Sequence, residues 1–91
     1  MKYTVTWKPS VKERLADIWM TAPDRSAVTA AANSVDSLLR VNPLDRGESR
    51  GGITRVLVVL PLAVVYEVNE DDRQVQVLSV RHVPVRRQGG E

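Results

Sequence analysis

The chain has 91 residues, no cysteine, no phenylalanine and a formal net charge of only +2. That length makes a single domain, 1–91, burying roughly 60–65% of its unfolded surface, so its core must come mainly from Val, Leu, Ile and Ala. Disulfide and thiolate chemistry are excluded, and the lack of cysteine fits a reducing compartment.

Tyr3, Val5 and Trp7 alternate with Lys2, Thr4 and Thr6, the period of a half-buried strand. Ser10 and Glu13 have the spacing of a capping box, which predicts a helix from about Val11 with Val11, Leu15, Ile18 and Trp19 along one face. Thr21 to Asp24 interrupts the pattern, and Thr21 or Asp24 is placed to cap a second helix over 25–41. The apolar stripe of that helix is Val28, Ala31, Ala32, Val35, Leu38 and Leu39. Pro43 ends it, because the residue before a proline avoids helical angles. The two helices read as an antiparallel hairpin over one face of a sheet. Both tryptophans are expected between strand and helix, and Tyr66 in the core with its hydroxyl satisfied.

A polar, Gly-rich loop over 42–52 leads into three β-rich runs, 53–60, 62–68 and 73–83, the last two joined by the acidic turn Asn69 to Asp72. Several of these runs, such as Val56-Leu57-Val58-Val59-Leu60, are apolar on both faces. One helical layer covers only one of them, so the C-terminal tail, a second subunit or a partner must cover the other. The apolar run 56–66 is too short for a bilayer span and contains Pro61. A soluble cytoplasmic protein with no membrane association is the expectation.

No metal site is expected, because His82 is the single histidine and the acidic turn lacks the spacing and glycine of a calcium loop. GESRG around Ser49 is not a nucleophile elbow, and Gly47, Gly51 and Gly52 do not open a helix as phosphate-binding loops require. What remains is cationic. Ten of the thirteen basic residues are arginine, whose planar fork suits phosphate and carboxylate. Arg50 and Arg55 surround the loop and the strand after it; Arg81 and His82 end the last strand; Arg86 and Arg87 follow. Gathered at one end of a sheet, they are candidates to stabilise a phosphate during RNA cleavage, with Arg55, Arg81 and His82 as catalytic residues. The alternative is that Arg50, Arg55, Arg81, Arg86 and Arg87 simply bind a nucleic-acid backbone or an acidic protein. For Arg55, a pairing with Asp45 or Glu48 weighs equally with a phosphate or carboxylate contact.

Across nearly its whole length the chain resembles the RelE/ParE superfamily of bacterial type II toxins. The resemblance is carried by Trp7-Lys8-Pro9-Ser10, LLRVNP over 38–43, GESR over 47–50, Arg55-Val56-Leu57, VVYEVNEDD over 64–72 and VQVLSVRH over 75–82. It implies an α+β fold, β-α-α-β-β-β, with an antiparallel sheet and the helical hairpin on one face. It also implies a growth-inhibiting toxin without a cofactor, neutralised by a cognate antitoxin in a heterotetramer, or itself a homodimer. The implied target is DNA gyrase, as for ParE-like members, or ribosome-bound mRNA, cut without a metal as by RelE-like ones. Where RelE-like nucleases carry an arginine early in the strand before the Tyr-x-Val segment, this chain has Ala63 or a close neighbour. No tyrosine follows the last strand. Both departures count against RNA cleavage, and the ending RHVPVRR fits the ParE-like branch. The alternative is a degenerate member that has become an antitoxin-binding or regulatory module.

Overall fold

The computed structural model describes residues 2–41, 43 and 54–83, and the backbone of 48–49. The element order is β1 (Thr4–Trp7), α1 (Pro9–Thr21), α2 (Arg25–Val41), β2 (Glu48–Ser49), β3 (Thr54–Val59), β4 (Leu62–Asn69) and β5 (Gln74–His82). The two-residue β2, inside the stretch read as loop, is the one element not expected. The strands form one sheet in the order β1-β5-β4-β3-β2.

The sheet is mixed rather than antiparallel throughout. From β2 to β5 neighbouring strands are antiparallel, but β1 lies parallel to β5, with Val5 opposite Val75 and Trp7 opposite Val77. Two helices separate β1 from the rest of the sheet, a connection long enough for the parallel pairing that a tight hairpin forbids.

Helix α1 begins two residues before the expected start. Pro9 occupies the first turn, where its locked φ fits and its missing N–H is no loss, and no side chain caps the helix. The Lys8 carbonyl instead accepts from the amides of Val11 and Lys12, both at 2.9 Å. Ser10 therefore lies inside the helix, and the capping box does not form. At α2 the expected cap is present: the Ala27 amide donates to Asp24 Oδ1 at 3.0 Å. Thr21, the other candidate, turns its hydroxyl back to the carbonyls of Asp17 and Ile18.

Helix α2 buries Val28, Ala31, Val35 and Leu39, and α1 buries Val11 and Ile18. These pack on Leu57, Leu62, Val64, Tyr66, Val68, Val75, Val77 and Val80 of the sheet. Asp36 ties the hairpin to β1, accepting from Trp7 Nε1 at 3.2 Å and from Arg40 Nε at 2.7 Å. Trp19 departs from the expectation: it is 41% exposed on the outside of the hairpin, where its Nε1 donates to Thr29 Oγ1 at 3.1 Å. The Arg25 guanidinium stands 4.8 Å from its ring centroid.

The β4–β5 turn is closed by Asn69, whose Oδ1 accepts from the Asp72 amide at 3.2 Å. Arg73 sits in the left-handed region, φ 53°, so β5 starts at Gln74 rather than Arg73. Its side chain reaches over the Tyr3 ring at 5.7 Å.

Candidate functional site

Strand register decides which side chains share a face. On the helix side lie Val5 and Trp7, Arg55, Leu57 and Val59, then Leu62, Val64, Tyr66 and Val68, then Val75, Val77, Val80 and His82. On the opposite face, pairing puts Thr6, Gln76, Glu67 and Thr54 in one row, Ser79, Val65 and Val56 in the next, and Arg81, Ala63 and Val58 in the last. No helix among the described residues crosses this second face. Val56, Val58, Val65 and Leu78 are absent from the core cluster, and Val58 and Leu60 are more than half exposed. The doubly apolar strands of the sequence thus resolve into a covered face and a bare one.

A bulge in β5 controls where the cations point. Val65 pairs with Ser79 but Tyr66 pairs with Val77, so Leu78 is an extra residue. The inserted residue reverses the alternation beyond it. Arg81 is exposed on the bare face opposite Ala63, while His82 is half-buried on the helix side opposite Leu62.

Arg55 lies on the helix side, directly opposite Tyr66. Tyr66 is fully buried, and its hydroxyl donates to the Pro43 carbonyl at 2.7 Å. Burial pushes the Tyr66 phenol above its usual range, and the nearby Arg55 charge and hydrogen bond pull it partly back. Half-buried Arg55 thus has a partner that neither reading of the sequence foresaw. Along β4 its row and that of His82 are four residues apart, about 13 Å at strand rise.

The structure brings Arg81 and His82 to the Leu60–Pro61 end of the sheet, on opposite faces. It leaves Arg55 toward the other end, as the second residue of β3. Arg50, Arg86 and Arg87, like Asp45, lie outside the described residues. Among the described residues no His, Cys, Asp and Glu cluster has the makings of a metal site, and no helix is long and apolar enough to cross a membrane.

Two concavities flank this framework. A groove of about 510 Å³ runs between α1 and α2, with Trp7, Leu15, Trp19, Val28 and Ala32 along it. A depression of about 680 Å³ occupies the bare face near the β4–β5 turn, lined by Thr6, Gln74, Gln76, Glu67, Glu70 and Asp71. Reading the sequence missed the second, because its members come from three strands and a turn.

No protein-family model matches the chain, and no curated protein matches it in sequence. Solved structures do match. A chain of the toxin–antitoxin complex RelBE2 from Mycobacterium tuberculosis superposes with a TM-score of 0.71 at 18% identity, over 90% of this chain and 99% of that one. The chromosomal ParDE system of P. aeruginosa gives 0.70 at 18% identity, over 90% and 97%. The chain has the RelE/ParE toxin fold. The free E. coli toxin RelE, as a double arginine-to-alanine mutant, gives 0.67 at 14% identity over 90% and 84%. The RelE/ParE fold therefore spans about nine-tenths of the chain, while identities this low leave the chemistry of the bare face to its own residues.

Proposed function

We propose that this chain is the toxin of a type II toxin–antitoxin pair in the RelE/ParE superfamily, acting in the cytoplasm and held inactive by an antitoxin on its bare sheet face. The observation that carries this reading is the RelE/ParE fold combined with valines on β3 and β4 that no described layer covers. Contiguous apolar surface of that kind marks an interaction site.

For the target, the reading favours DNA gyrase over ribosome-bound mRNA. Metal-independent RNA cleavage requires several donors converging on one phosphate. Arg81 is the single cation among the described strand residues of the bare face, and His82 faces the other way. Ala63, where an arginine would double that cation, is 6% exposed between Arg81 and Val58. An endoribonuclease acting through Arg55, Arg81 and His82 is the weaker reading. The same sparse cations also suit a degenerate member that binds an antitoxin without being toxic.

Controlled expression in a bacterial host tests this. Growth arrest with filamentation and DNA-damage signalling is expected, with mRNA intact by primer extension and growth restored by the product of an adjacent antitoxin gene. Immediate loss of translation with cut mRNA, abolished by Arg81→Ala with His82→Ala, would establish the nuclease instead. Unchanged growth at matched protein levels would leave the binding module.

A further inference from the structure

The bare face is graded in charge along the strands. Its turn end carries Glu67, with Glu70 and Asp71 on the adjoining turn; its middle carries Val56, Val65 and Leu78; its far end carries Arg81 in one row with Ala63 and Val58. Among the described residues none of these four charged groups is in an ion pair, the Arg40–Asp36 bridge lying on the hairpin instead. Both ends are therefore unneutralised, with opposite signs.

From the Glu67 row to the Arg81 row is four residues of β4, about 13 Å at strand rise. A phosphate backbone laid along these strands would meet carboxylates at one end. The strand residues of the face also offer no aromatic ring on which a base would stack. A polypeptide with one basic and one acidic end answers both charges, and its apolar middle answers the valines.

We infer that the bare face receives a single antitoxin segment lying along the strands, with a Lys or Arg over Glu67, Glu70 and Asp71 and an Asp or Glu over Arg81. The inference rests on the antitoxin reading above and deepens it by stating the segment's charge order and spacing. The two opposite charges are separated by about four residues if the segment is extended and by about nine if it is helical.

The test uses 16-residue peptides tiled along the antitoxin that restores growth, with binding followed by fluorescence anisotropy. The expected tile carries the two charges at that spacing. Its affinity falls roughly tenfold with Glu67→Lys plus Glu70→Lys, and again roughly tenfold with Arg81→Glu, as like charges then face each other across the interface. Reversing the tile's acidic residue restores affinity for Arg81→Glu but not for the Glu67→Lys pair. These exposed or half-exposed positions leave the core untouched, so a native circular-dichroism spectrum accompanies each variant.

A tile that binds equally well to all three proteins overturns the charge order while leaving the antitoxin reading intact. So does a single-stranded RNA oligonucleotide that competes for the face and loses affinity with Arg81→Glu. If no tile binds and no neighbouring gene restores growth, the antitoxin reading fails and the inference falls with it.

Discussion

Tyr66→Phe is expected to lower folding stability by about 1–3 kcal/mol, although it removes one oxygen atom and changes nothing on the surface. The hydroxyl is fully buried, donates to the Pro43 carbonyl at 2.7 Å and is hydrogen-bonded to Arg55. Its loss removes the donor to the buried Pro43 carbonyl and one contact of Arg55, and an unsatisfied buried polar group costs more than the bond itself contributed. The same substitution should change the alkaline limb of stability. Burial raises the phenol of the folded protein above its usual value near 10. Below that value both folded and unfolded states hold the proton, and the contribution is fully present. As pH rises past it the unfolded chain ionises first, so stability falls until the folded phenol also titrates. Urea unfolding between about pH 9 and 11.5 should show this decline in the wild type and a shallower one in Tyr66→Phe. Equal slopes would mean that Tyr66 does not hold its proton in the way its burial requires.

If the bare face docks an antitoxin as proposed, Val56→Asp combined with Val65→Asp should weaken that binding at least about 100-fold and abolish neutralisation in growing cells. These valines are neighbours on β3 and β4 of the bare face and take no part in the core. Both valines are already half-buried, so covering what remains contributes only a part of the roughly 1.5–3 kcal/mol of a full burial, and the larger effect is the desolvation cost of placing two carboxylates in that interface. Because aspartate is poor in strands, Val56→Thr with Val65→Thr provides a control that keeps the β-branched shape. The threonine pair should melt close to wild type and still bind several-fold more weakly. Full neutralisation of the aspartate pair would move the interface elsewhere, with the groove between α1 and α2 as the alternative surface.

The sequence already announces much of this fold through its interruptions. Pro43, Pro61 and the Asn69–Asp72 turn delimit the helical hairpin and the three closing strands, and Asp24 caps α2 as its residue type suggests. The helix stripes and Tyr66 were legible because apolar spacing reports burial directly. Pairing was less so. The parallel entry of β1 follows from where the helical hairpin sets the chain down, which no local pattern records. Trp19 was misread because a large ring at a helix-face position looks like core, yet α1 ends there and the ring packs on Thr29 and Arg25 at the rim.

The candidate site was least legible, and the bulge at Leu78 is the physical reason. Strict alternation from Val75 and Val77 would send Arg81 to the helix side and His82 to the bare face; the structure has the reverse. A signal did exist: the buried positions run Val75, Val77, then Val80, a three-residue step that a regular strand does not take. For Arg55 the sequence offers an acidic loop partner or a phosphate or carboxylate, but Tyr66 across the ladder is a partner too, a contact set by register alone. The charge grading of the bare face needs the same register, since Glu67 and Arg81 belong to different strands.

Methyl NMR of the chain, free and bound to the proposed antitoxin, addresses the docking face most directly, because valine and leucine methyls report both surfaces at once. Large shifts are expected at Val56, Val58, Val65 and Leu78, with little change at Leu15 and Val28. Shifts confined to Leu15 and Val28, with the β3 and β4 valines unmoved, would contradict docking on that face.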